Sequence, residues 1–141
     1  MATITRFEDL EIWQLAREMA NQIFETYNHS EYFSKDYKLK DQINGSSGSI
    51  MDNIAEGFER GGRNEFINFL SIAKGSAGEV KAQLYRALDR KYISQNQFDI
   101  LYNKTEEICK KIGAFNKYLN QSTHKGNKFK NRDTATQNPK P

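Results

Sequence analysis

Residues 39–58 read LKDQINGSSGSIMDNIAEGF, and this stretch carries the pattern that decides the fold. Its inward-facing positions recur at three- and four-residue steps, the spacing of one face of an α-helix; they are Leu39, Ile43, Ser47, Ile50, Ile54 and Phe58. The spacing predicts a helix over about residues 34–60. Ser34 is the predicted N-cap, and Gly61 and Gly62 end the helix because glycine reaches the left-handed conformation of a C-cap.

The same periodicity predicts three further helices, over about residues 7–27, 64–90 and 94–120. Ser94 and Gln97 match a capping box at the start of the last helix. Short links between long helices favour antiparallel neighbours. The sequence therefore predicts an all-α fold, an antiparallel up-down-up-down four-helix bundle over residues 1–120.

Six small or polar residues, Asn44 to Ser49, interrupt the apolar pattern of the second helix. Taken alone they predict a loop, which is the structural alternative. In a helix each glycine costs about 1 kcal/mol relative to alanine, a cost that close packing of two backbones offsets. A second small patch, residues 73–78, lies on the third helix. We therefore expect close packing at five glycines: Gly45, Gly48, Gly57, Gly75 and Gly78.

Polar residues share a helix face with this patch. Ser49, Asn53 and Glu56 lie at i, i+4 and i+7 on the second helix, and Ser76 and Glu79 lie three residues apart on the third. The spacing predicts a buried structural network in which the two carboxylates converge between helices. Hydrogen bonding is expected there because an unpaired buried charge is costly.

The inventory of reactive residues argues against an enzyme. The chain has 1 Cys and 2 His, which excludes an intramolecular disulfide, a multi-cysteine zinc site and a three-histidine site. A di-metal bundle needs Glu-x-x-His on two helices, but the residues three positions after Glu56 and Glu79 are Glu59 and Ala82. We expect no catalytic residue, no metal and no cofactor.

Charge is unevenly distributed along the chain. The formal net charge is +3, yet residues 1–120 carry 16 basic and 17 acidic side chains. Residues 121–141 are too polar to bury much surface, so we expect a basic disordered tail that could contact phosphates. The candidate contacts in the tail are Lys125, Lys128, Lys130 and Arg132, and those at the end of the third helix are Arg86, Arg90 and Lys91.

Three further features of the chain bear on its compartment. No stretch approaches the roughly 18 apolar residues of a membrane span, and the first residues lack the apolar run of a secretory signal. A single thiol fits a reducing compartment. The expected location is the cytoplasm, with no membrane partner.

Four spaced motifs carry a family resemblance. They are Phe7-x-x-Leu10-x-x-Trp13, Leu39-x-x-Gln42-Ile43, Ser49-Ile50-x-x-Asn53-Ile54-Ala55-Glu56-Gly57 and Phe66-x-x-Phe69-Leu70-x-Ile72-Ala73-x-Gly75-Ser76-x-x-Glu79. Together they resemble the four-helix bundle family, also called the 23S rRNA intervening-sequence proteins, over about residues 7–119. The resemblance implies a homopentameric ring without established catalysis. The accessory protein of diversity-generating retroelements is similar, and it forms a basic ring that binds nucleic acid and reverse transcriptase.

The sequence departs from the family pattern in two places. Many members have proline where this chain has Met51, and many have arginines where it has Asn44-Gly45-Ser46. The second departure removes positive charge from the body of the protein. Two functions therefore stay open: an oligomeric bundle that binds nucleic acid or a nucleic-acid enzyme, and a structural or adaptor bundle that binds another protein and no nucleic acid.

Overall fold

The computed structural model describes residues 3–130, with side chains described as far as residue 121. This part of the chain forms four α-helices and no strand, which confirms the all-α, four-helix prediction. The helices are α1 (Glu11–Asn28), α2 (Tyr37–Glu59), α3 (Arg63–Asp89) and α4 (Gln95–Lys130). None of them is long and apolar enough to cross a membrane.

The starts of α1 and α2 differ from the predicted ones. Phe7–Asp9 form a separate 3-10 turn, and the extended backbone of Leu10 divides this turn from α1. The N-cap of α2 is Asp36 and not Ser34, because the Asp36 carboxylate accepts a hydrogen bond from the backbone N–H of Leu39 at 3.1 Å. A carboxylate also interacts favourably with the positive end of the helix dipole.

Two other helix ends match the sequence prediction. The backbone N–H of Ser94 donates to Gln97 Oε1 at 2.8 Å, and the backbone N–H of Gln97 donates to Ser94 Oγ at 3.1 Å, as the capping box requires. Gly61 has a φ of +82°, the left-handed conformation expected beyond the end of α2.

α2 continues without a break through residues 44–49, so the loop alternative is wrong. Ile43 before this segment and Ile50 after it are fully buried, and Ser46 and Ser47 between them are buried as well. The buried face of α2 thus continues through the polar segment, with serines at two core-facing positions that would ordinarily hold apolar residues. Burial of the flanking isoleucines offsets the low helix propensity of the two glycines.

Side-chain pairs join neighbouring helices, and residue numbers that rise along one helix of a pair fall along the other. From one end of α2 to the other, Asp36 meets Arg90, Gln42 meets Arg86, Ser46 meets Gln83 and Ser49 meets Ser76. On α1 and α4, Glu11 meets Lys111 and Glu18 meets Lys104. The register set by these pairs determines which of the predicted site residues can touch.

The predicted close packing at five glycines needs correction. Only at Gly57 would an added methyl group collide with the chain, 2.5 Å from Cβ of Phe69. At the other four, Gly45, Gly48, Gly75 and Gly78, such a methyl would find no heavy atom within 4 Å. The reason is rotational: serines on α2 and α3 face each other across the interface, which turns the neighbouring glycines to the outside.

α4 extends ten residues beyond its predicted end, to Lys130. No proline interrupts residues 121–130, and the Gln, Ser, Thr, Lys and Asn side chains there are compatible with a helix. The predicted disorder of residues 131–141 lies outside the described part of the chain.

Candidate functional site

A polar seam runs between α2 and α3, and its centre holds three of the five predicted network residues. The hydroxyls of Ser49 and Ser76 are 2.9 Å apart. The Asn53 amide donates to the backbone oxygen of Ser49 at 2.8 Å and to its hydroxyl at 2.9 Å. Ser76 is buried, and Ser49 and Asn53 are half-buried. This cluster joins the two helices through neutral hydrogen bonds.

The predicted convergence of Glu56 and Glu79 is wrong. Glu56 is about half exposed and pairs with Arg60 four residues later, at 2.7 Å. The helix register puts the neighbouring Gly57 against Phe69, ten residues before Glu79 on α3. Ten helical residues span about 15 Å, so the two carboxylates cannot meet, and Glu79 is exposed.

Asp36 occupies one end of the seam and joins α2 to the end of α3. Its Oδ2 accepts from Arg90 at 3.0 Å and from the Tyr92 hydroxyl at 2.9 Å. The backbone N–H of Leu39, then the Tyr92 hydroxyl and the Arg90 guanidinium, hold the pKa of Asp36 below its usual range. The hydrogen bond with Asp36 raises the pKa of Tyr92.

The basic cluster predicted at this end is therefore largely engaged within the chain. Arg90 is paired with Asp36, and Arg86 donates to Gln42 at 2.9 Å. Lys91 alone of the three is exposed without a hydrogen bond among the described side chains, in a left-handed backbone conformation with φ +62°. Arg86 keeps its positive charge because the Gln42 amide is neutral, so Arg86 and Lys91 are the two uncompensated cations of this cluster among the described side chains.

Lysines of α4 that face α1 are also neutralised. Lys104 forms an ion pair with Glu18, and Lys111 lies 3.4 Å from the carboxylate of Glu11. Acidic residues of α1 thus balance this side of α4.

The other side of α4 forms a groove with α3, and its charge is not balanced. One part of about 600 Å³ is lined by Ser71, Lys74, Gly75, Gly113, Asn116, Lys117, Asn120 and Gln121. An adjoining part of about 430 Å³ adds Gly78, Lys81, Glu106, Cys109 and Lys110. We call both parts together the α3–α4 groove. Lys81 pairs with Glu106 at 2.8 Å, but no carboxylate among the described side chains pairs with Lys74, Lys110 or Lys117.

Sequence reasoning missed this groove. The relevant signal is the seven-residue spacing of Lys110 and Lys117, with Gly113 between them on the same helix face. The nearly neutral net charge of residues 1–120 did not reveal these lysines, because most of the carboxylates that balance the total charge lie elsewhere on the bundle.

Among the described side chains, no cluster of three His, Cys, Asp or Glu could hold a metal ion. Cys109 is buried, and this burial raises the pKa of its thiol and disfavours the reactive thiolate. The side chains of Lys125, Lys128 and Lys130, and the whole of Arg132, lie outside the described part of the chain.

The fold and the polar seam define the class: a helical-bundle protein in which hydrogen-bonded side chains join α2 to α3. The model of the 23S rRNA-intervening sequence protein family matches residues 8–114, and the chain belongs to that family. A similar solved structure comes from Bacteroides thetaiotaomicron and is described as a protein of unknown function from the S23 ribosomal protein family. It is 28% identical, covers 75% of this chain and 98% of its own, and has a TM-score of 0.68. The comparison with curated proteins gives no match.

Proposed function

We propose that the protein is a non-enzymatic, ring-forming four-helix bundle of the cytoplasm that binds nucleic acid. The observation that carries the proposal is the charge of α4, which holds seven lysines and three acidic residues. Its α1 side is balanced by glutamates, whereas its α3 side leaves lysines unpaired among the described side chains. Unpaired ammonium groups on one helix face supply the electrostatic attraction that drives phosphate binding.

Exposed apolar side chains support assembly into a closed homo-oligomer. The family resemblance suggests five subunits, each an antiparallel four-helix bundle. About half of the surface of each of Phe24, Ile72, Ile100 and Tyr118 is exposed. Single exposed apolar residues are common on monomers, but four of this size on three helices favour burial by neighbouring copies. Phe66 on α3, by contrast, is buried within the bundle, where its ring contacts those of Phe58 and Phe115.

The direct test is a salt titration of binding to labelled single-stranded RNA, single-stranded DNA and duplex DNA. A nucleic-acid binder shows an affinity that falls steeply and log-linearly with salt concentration, because bound lysines release counterions. Light scattering on the same sample gives the number of subunits. Absence of binding to all three probes at low salt would reject the proposal and favour the adaptor bundle.

A further inference from the structure

We infer that the α3–α4 groove is the nucleic-acid site, and that it holds the sugar-phosphate backbone of one strand. This inference rests on the proposed function and assigns it to a particular surface. It also makes the groove, and not the C-terminal segment or the end of α3, the main source of affinity.

The first argument is charge. Four lysines line the groove, Lys74 and Lys81 from α3 and Lys110 and Lys117 from α4, against the single carboxylate of Glu106. Glu106 pairs mainly with Lys81: the hydrogen bond between them lowers the pKa of Glu106 and raises that of Lys81, and the nearby charge of Lys110 lowers the pKa of Glu106 further. Three ammonium groups are left for a ligand, and only an anion complements them.

The second argument is spacing. Lys110 and Lys117 are seven residues apart on one helix, which places them about 10 Å from each other along the groove. Lys74 lies between them, because its Nζ would be 3.5 Å from a methyl group added to Gly113. A row of three cations along about 10 Å fits successive phosphates of a strand better than one isolated anion.

The third argument is room. Gly75, Gly78 and Gly113 line the groove from both helices. A methyl group added at Gly75 or Gly78 would meet nothing within 4 Å. Because glycine has no side chain, a ligand can approach the helix backbones between the lysines.

The fourth argument is hydrogen bonding. The side-chain oxygens of Asn116 and Asn120 are buried in the groove wall without a partner in the described chain. Phosphates cannot satisfy them, since they carry no donor at neutral pH. A nucleotide also offers hydroxyl and amino donors, and the broad terminal torsion of asparagine allows the amide to turn toward them. This combination favours a nucleic-acid strand over another polyanion.

Substitution of the lysines tests the charge argument in the full-length protein. The probes are single-stranded RNA of about 20 nucleotides, DNA of the same sequence, and the duplex, long enough to exceed a typical single-strand site. Lys74→Gln with Lys117→Gln should weaken binding and reduce the slope of log affinity against log salt by about 2. Lys35→Gln with Lys38→Gln removes the same charge from exposed positions around the start of α2 and should leave the slope nearly unchanged.

Blocking the groove tests its shape without changing charge. Gly75→Gln places a long neutral side chain in the groove, and Gly45→Gln does the same on the outer face of α2. Both glycines are exposed in helices, so both variants should fold at least as stably as the parent. Gly75→Gln should lower affinity several-fold, whereas Gly45→Gln should not.

The outcomes separate the inference from the proposal on which it rests. Failure of the unsubstituted protein to bind any probe would overturn both. Binding that is unaffected by Lys74→Gln/Lys117→Gln and by Gly75→Gln, or affected equally by the control variants, would overturn the groove alone. A change of subunit number caused by Gly75→Gln in light scattering would also overturn it, because the groove would then be an interface between copies. A stronger effect with RNA than with DNA would identify the ribose hydroxyl as the donor to the asparagines.

Discussion

The hydroxyl of Ser49 on α2 lies 2.9 Å from the hydroxyl of Ser76 on α3, and this contact is one of four polar contacts that align the two helices. A shift of one helical turn would separate the hydroxyls and leave buried polar groups without partners. The same register brings Gly57 against Phe69 and keeps Glu56 away from Glu79. The register that includes this hydrogen bond thus separates the predicted residues that touch from those that do not.

The first prediction concerns the coupling of the two serines. Ser49→Ala and Ser76→Ala should each cost about 1 kcal/mol of unfolding free energy, since each removes a partner from a partly buried hydroxyl. The double variant should cost less than the sum of the two single variants, which gives a non-zero coupling energy in a urea-denaturation cycle. Ser34→Ala, away from the seam, is the matched control. Strict additivity of the two serine substitutions would contradict the contact.

The second prediction contrasts two glycines of α2. Gly57→Ala should destabilise the protein by about 1–3 kcal/mol, because the new methyl group would lie 2.5 Å from Cβ of Phe69. Gly45→Ala meets nothing within 4 Å and should stabilise α2 by up to about 1 kcal/mol. Thermal unfolding of both variants measures the difference. Equal effects would show that the helix approach at Gly57 is looser than described.

The third prediction revises the role of Glu56. Its carboxylate is half exposed and contacts Arg60, so Glu56→Ala should lower the unfolding free energy by no more than about 1 kcal/mol. The sequence-based expectation of a buried carboxylate requires a larger loss. Glu56→Gln keeps the shape and removes the charge, and it should behave like the alanine variant. A loss of several kcal/mol in either variant would restore the buried-network interpretation.

The fourth prediction concerns acid. The folded-state pKa of Asp36 is lowered, chiefly by the hydrogen bond from Leu39 N–H. Its stabilising contribution is therefore complete above the unfolded pKa of about 3.9 and disappears as the pH falls through the lower folded value. Asp36→Asn keeps a good N-cap but loses the charge, so it should cost roughly 1–2 kcal/mol at pH 7.

Denaturation at a series of pH values checks this expectation. The difference between the parent and Asp36→Asn should shrink as the pH falls below about 4. Asp52→Asn, an exposed change of the same charge on α2, is the control and should have a small effect at neutral pH. A difference that grew on acidification would be incompatible with a carboxylate stabilised by hydrogen bonds.

Much of the fold could be predicted because its signals are local. The period of Ile43, Ile50 and Ile54 defines the buried face of α2, and all three are fully buried. The Ser94 and Gln97 capping box and the left-handed Gly61 depend only on neighbouring residues, and both are present. The predicted N-cap, Ser34, was wrong, because the carboxylate of Asp36 accepts the hydrogen bond from the first turn of α2.

The site was less predictable because it depends on how the helices are rotated and aligned. Sequence spacing put Ser49, Asn53 and Glu56 on one face, and the first two do cluster with Ser76. It gave no information on which residues of α3 lie opposite, so Glu56 and Glu79 were paired although the register separates them.

The sequence by itself determined the helical class, the four-helix count and most of the core, since periodicity and capping act within one helix. Only the tertiary structure decided that four of the five glycines of α2 and α3 point outward while Gly57 packs on Phe69, that Arg90 is neutralised by Asp36, and that lysines of α3 and α4 gather in one groove. These are relations between residues far apart in the chain. Their distances are set by the packing of one helix on another, which no local pattern encodes.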